Sequence, residues 1–189
     1  MKKLLTTISL ALTLCLSLTT VFAAPSINKN GAVKKDSILI NGEKVDANTT
    51  AAFDSKKETY SAAGVSDETI DVIEKVNANP SQLASLIKGV DLSGYSLLTE
   101  FQDLSVYVNG ELKQKVKNVT LTWEVPNLVK TAKNVKVLHY STERNTWEIL
   151  TPKSVDFDNK TITQEFKDLS PVAVIYQAGD ANANKNGTK

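Results

Sequence analysis

Hydrophobic and polar positions along the chain change period twice, and the changes divide it. The apolar stretch from Leu4 to Leu18, broken only by Thr and Ser, has no amphipathic period. Met1-Lys2-Lys3 precedes it and Val21-Phe22-Ala23-Ala24-Pro25 follows, with small residues at Val21 and Ala23. A basic start, a short apolar centre and that small-residue site predict a signal peptide over 1–23, cut after Ala23. The apolar centre is too short for a membrane span of about 20 residues, so no membrane association is expected after cleavage. Residues 24–36 are polar and unpatterned and read as a flexible leader.

Residues 37–94 read as a hairpin followed by a helical segment. Asn41-Gly42 between Ile38-Leu39-Ile40 and Glu43-Lys44-Val45 is the signature of a type I′ turn, because both turn residues tolerate positive φ. Phe53, Lys57 and Tyr60 are then spaced for one helical face, with Gly64 as the stop. Ser66 predicts an N-cap, Asp67 and Glu68 suit the first turn, and Val65 is placed to staple onto Ile70, with Ile70, Ile73 and Val76 as the buried face. Asn79-Pro80 opens a further helix carrying Leu83, Leu86 and Ile87, which closes at Gly89.

From residue 95 to 177 the period is two. Leu104, Val106 and Val108 alternate with Ser105 and Tyr107 before a second Asn-Gly turn at Asn109-Gly110. Val119, Leu121, Trp123 and Val125 form another such face, and Val135 to Tyr140, Trp147 to Leu150, Val155 to Phe157, Thr161 to Phe166 and Val172 to Tyr176 complete six or seven short strands. No helix follows any of them, so the expected architecture is α+β. An N-terminal hairpin and small helices pack with a C-terminal antiparallel β-sandwich, Ig-like in type. Residues 178–189, rich in Asn, Ala, Lys and Gly, read as a disordered tail.

The strings Val135-Lys136-Val137-Leu138-His139-Tyr140, Trp147-Glu148 and Ser170-Pro171-Val172-Ala173-Val174 resemble a β-sandwich module of secreted and cell-surface bacterial proteins. In that module a V-L-H-Y strand leads to a W-E strand and an S-P-V-A-V strand closes the fold. The resemblance covers roughly Leu104 to Tyr176 and implies fold and compartment. It implies no chemistry, because fold does not carry function.

Composition narrows the function classes. The one cysteine, Cys15, lies inside the expected signal peptide, so a mature chain has neither disulfide nor cysteine nucleophile. Lys, Asp and Glu are interspersed and the net charge is +1, of which Lys2 and Lys3 belong to the signal peptide, so the field that recruits nucleic acid is missing. His139 is the only histidine and lies in an apolar strand, where it reads as a packed structural residue rather than a base or a metal ligand. No Gly-x-Ser-x-Gly elbow accompanies it. The acidic pairs Asp156 with Asp158 and Glu143 with Glu148 fall in or beside turns, where Asp serves the backbone. Asp180-Ala181-Asn182-Ala183-Asn184 imitates the start of a calcium loop, but Lys185 stands where glycine is needed. The expectation is therefore no catalytic residue, no metal and no cofactor.

Aromatic rings are the remaining candidates. Tyr107 and Tyr140 are expected on outward faces, where a ring can stack on a sugar or a partner side chain, and Trp123 and Trp147 are assigned to the core. The expected function is a secreted, extracellular, non-enzymatic interaction or cell-envelope module whose partner is an unknown protein or glycan. A carbohydrate-binding module and an accessory or inhibitor subunit of a secreted enzyme are the alternatives.

Overall fold

The computed structural model describes residues 26–113 and 115–178. The expected signal peptide and the tail beyond Ala178 lie outside the described residues. Two antiparallel sheets dominate, with a few short helices. The first sheet is built around β7 (Lys117–Glu124), which pairs on one side with β11 (Thr161–Asp168) and on the other with β1 (Leu39–Ile40). β10 (Ser154–Asp156) extends it past β11, and β2 (Glu43–Lys44) extends it past β1. At the β1–β2 turn Asn41 and Gly42 have φ of 53° and 82°, the left-handed pair that the Asn-Gly reading required.

The second sheet runs β3 (Thr49–Asp54), β5 (Gln102–Val108), β12 (Pro171–Ala178), β8 (Ala132–Ser141) and β9 (Thr146–Leu150). β4 (Tyr95–Leu97) pairs with β12, and β6 (Glu111–Lys113) pairs with β5. One hydrophobic core joins the sheets face to face: Leu104, Val106, Val137 and Val174 from the second meet Val119, Leu121, Trp123 and Phe166 from the first. This is the alternation of apolar and polar positions doing what a half-buried strand does.

The opposite face of the second sheet carries a separate core. Leu138, Tyr140, Ala173 and Ile175 meet Tyr60 of α1 (Lys57–Ala62), Ile70, Ile73 and Val76 of α2 (Asp67–Ala78), and Leu83 of α3 (Leu83–Leu86). The cap on α2 forms as expected: the Ser66 hydroxyl accepts from the Thr69 amide at 3.3 Å. Helices this short gain their stability from that shared apolar face. Asn77 clamps the sheet from α2, donating to the Phe101 carbonyl at 3.0 Å and accepting from the Phe101 amide at 2.8 Å.

Three expectations need correction. Residues 50–56 are not the start of a helix: Thr49–Asp54 is a strand in register with β5, and Ala51 and Phe53 face the sheet–sheet core. A period of two and of 3.6 both accommodate so short a run, and strand pairing decided it. The hairpin and β3, expected in a segment ahead of the sandwich, are built into its two sheets. Residues 26–36 are no flexible leader either. Gly31 donates to the Glu124 carbonyl and Lys34 to the Thr122 carbonyl, each at 2.8 Å. Asn30, 8% exposed, accepts the Trp123 indole N–H at 3.0 Å and donates its own amide N–H to Gln102 Oε1 at 2.6 Å. A buried indole needs an acceptor, and this polar segment supplies it.

A polar cluster sealed at one flank of the sandwich

The strand period that buries Val135 and Val137 also turns His139 and Ser141 inward, between the sheets. His139 is 1% exposed and packs on Phe166 at 5.5 Å between ring centroids. The register of β8 with β9 sets Glu148 directly opposite it. The turn into β12 brings Ser170, and the end of β11 brings Asp168.

These residues form two hydrogen-bonded groups that meet where His139 faces Glu148. His139 Nε2 lies 2.8 Å from the Ser170 hydroxyl. Ser170 donates its own proton to the Tyr140 carbonyl, so the ring nitrogen is the donor and the serine oxygen the acceptor. His139 Nδ1 stands 3.6 Å from Glu148 Oε2, beyond hydrogen-bond length. Arg144 grips Glu148 with both ends of its fork, Nε to Oε1 at 2.7 Å and Nη2 to Oε2 at 2.8 Å, and reaches Asp168 at 3.0 Å. Ser141 completes the set by donating to Asp168 at 2.9 Å.

Electrostatics follow from these contacts. Burial pushes the His139 imidazole below its ordinary value of 6.5, against the opposing pull of Asp168 and Glu148. The hydrogen bond from Arg144 holds Glu148 below the usual carboxylate range. The ring is thus neutral at neutral pH, protonated on Nε2, with a lone pair on Nδ1.

Serine, histidine and acid lie here in the order of a catalytic triad, but histidine and acid share no hydrogen bond and the serine–histidine polarity is reversed. A general base must accept the nucleophile's proton, whereas here the imidazole donates to Ser170 and the serine proton is committed to the backbone. Ser170 is also 0% exposed. The arrangement can order the β8–β12 junction and hold Glu148 and Arg144 at the flank, but it offers a substrate no attacking oxygen.

An open cleft of about 580 Å³ lies beside the cluster, lined by His139, Glu148, Ile149, Leu150, Gln164 and Lys167, among others. Its walls are β9 on one sheet and, on the other, the part of β11 that continues past the three residues paired with β10. A second cleft of about 160 Å³ lies near Gly64, Lys113 and Glu143. Among the described residues no group of three or more His, Cys, Asp and Glu is placed to hold a metal ion, and no helix is long and apolar enough to cross a membrane.

The two tyrosines singled out from the sequence are not brought together. Tyr140 is 7% exposed, because its outward face is the one the helices cover, and its ring packs against Trp147 at 5.1 Å. Tyr107 is half-buried, flanked by Thr50 on β3 and Leu112 on β6. The expectation of exposed stacking platforms fails for Tyr140. Trp123 is fully buried as expected, while Trp147 is half-buried on the helix-covered face. The acidic pairs serve other partners: Glu143 bridges Lys117 at 2.6 Å, and Asp156 accepts from the Asp158 and Asn159 amides at 3.0 and 2.9 Å. Sequence reasoning missed Arg144, Gln164, Asp168 and Ser170. The available signal was the inward period through His139, which obliges its neighbours across the strands to be polar as well.

No family model, curated protein or solved structure matches the chain.

Proposed function

We propose that the chain is an exported, non-enzymatic binding module built on an Ig-like sandwich of the kind found in secreted and cell-surface proteins of bacteria. It engages an extracellular partner at the flank between β9 and β11. One observation carries the reading: the only histidine donates to a fully buried serine whose proton is held by a backbone carbonyl. The buried network then acts as scaffolding for an open cleft whose size suits a ligand. Export rests on the pattern of residues 1–25.

The test is turnover by the purified full chain on a panel of ester, amide and glycoside substrates, beside His139→Ala and Glu148→Gln. The proposal expects background rates for all three proteins. Turnover by the wild type that either substitution removes would overturn it. Mass analysis of protein recovered from culture medium tests export separately and is expected to give a chain beginning at Ala24.

A further inference from the structure

Two polar atoms beside the cleft are left over from the network just described. His139 Nδ1 and Gln164 Oε1 are buried and make no hydrogen bond among the described residues. Both residues line the same cleft. Both atoms are acceptors: Nδ1 because the ring proton sits on Nε2, and Oε1 because the amide's nitrogen donates to the Glu165 carbonyl at 2.6 Å. Gln164 occupies a core-facing position opposite Leu121, where an apolar residue would continue the pattern of Ile162 and Phe166. A glutamine there, with its oxygen unmet, calls for a donor.

The charges around the cleft say what kind of donor. Both Glu148 oxygens are taken by Arg144, and Lys153 is held by Glu165 at 2.5 Å. Lys167, the remaining lysine of the lining, has no ion pair among the described residues but is exposed, whereas the two unmet acceptors are buried. A cation entering the cleft finds its carboxylates already paired, and an anion finds acceptors at the inner wall. Ile149 and Leu150 add apolar surface beside the polar groups. A neutral molecule bearing several hydroxyls on a carbon skeleton satisfies all three conditions.

We propose that the cleft binds a neutral polyol, specifically a saccharide unit of an extracellular glycan, whose hydroxyls donate to His139 Nδ1 and Gln164 Oε1. Recognition is by hydrogen bonds, with no stacked tyrosine. Both atoms are closed to solvent in the conformation described, so binding requires a side-chain rearrangement at the flank, centred on Gln164, that keeps the Glu148–Arg144 pair intact. The inference rests on the reading of this flank as the binding face of a non-enzymatic module.

The full chain, labelled with ¹⁵N, is titrated with glucose, with N-acetylglucosamine and with 1,4-dioxane, which matches a sugar ring in size but has no donor. The expected result is movement of the His139 Nδ1 resonance and of the β9 and β11 amides with at least one sugar and none with dioxane. Gln164→Leu is expected to weaken the response by about tenfold, the loss of one good hydrogen bond. If that variant does not fold, Gln164→Met serves in its place. No shift with either sugar, an equal shift with dioxane, or binding unchanged in the folded Gln164 variant overturns the inference. Such results leave the non-enzymatic reading standing, whereas turnover in the substrate panel overturns that reading and not the sugar contact.

Discussion

Asp103→Asn is predicted to stabilise the protein at neutral pH and to remove part of its pH dependence. Asp103 lies on β5 directly opposite Asp54 on β3 and is fully buried. Its Oδ2 accepts from Ser105 at 2.7 Å, and its Oδ1 has no partner among the described residues. Burial raises its carboxyl from 3.8 to about 6, with the Ser105 bond opposing the rise and the Asp54 charge adding to it. An acid whose folded value lies above its unfolded one binds its proton more tightly in the native state. Its ionisation therefore costs stability progressively as pH rises from 3.8, and the cost levels off above about 6.

The shift of roughly two units corresponds to about 3 kcal/mol at pH 7, falling to about 1 kcal/mol at pH 4.5. Asparagine keeps an acceptor for Ser105 and removes the charge. Urea unfolding of both proteins at the two pH values is the assay. The variant is expected to be more stable by about 1–3 kcal/mol at pH 7, with that advantage shrinking by up to about 2 kcal/mol at pH 4.5. An advantage equal at both pH values, or a variant less stable at pH 7, would refute the reasoning.

Other predictions concern the N-terminal segment and the histidine. Asn30→Ala removes the acceptor of the Trp123 indole N–H while keeping the backbone N–H that donates to Gln102, and is expected to cost about 1–3 kcal/mol, with tryptophan emission shifted in the folded state as the measurement. Gly31→Val places a Cβ at 2.8 Å from that of Glu124 and 3.0 Å from its carbonyl oxygen, so a lowered thermal midpoint and loss of about 1–3 kcal/mol are expected. A midpoint unchanged in either variant contradicts the docking of residues 26–36 on β7. For His139 the sign is opposite to that of Asp103. Its folded value lies below 6.5, so its contribution is present in full above 6.5 and is lost as pH falls through that value. In an Asp103→Asn background, stability is therefore expected to decline from pH 7 toward pH 5, and the decline is expected to be shallower once His139→Gln is added.

Much of the architecture was legible because strand alternation and turn chemistry are local. Asn41-Gly42 and Asn109-Gly110 read correctly since two adjacent left-handed residues are needed and few pairs supply them. Ser66 read correctly since a cap needs only its own helix. What escaped was set by distant partners. Nothing near Asn30 announces that an indole in β7 requires an acceptor there. Tyr140 alternates with Val137 as an outward residue should, but its outward face is roofed by α1 and α2, and a second core on a sheet leaves the same period as an exposed face. The polar cluster was half visible. His139 was recognised as packed, but its partners come from β9, the β9 turn, β11 and β12, and only the pairing registers bring them to one place.

The state of the single imidazole tests the central claim most directly. Long-range ¹H–¹⁵N correlation of the His139 ring, followed from pH 8 to pH 5, reports its tautomer and its titration together. The account predicts a neutral ring protonated on Nε2, a midpoint below 6.5, and a ring proton protected from exchange with water. A ring protonated on Nδ1, or one titrating at or above 6.5 with rapid exchange, would contradict it and reopen the case for His139 as a base.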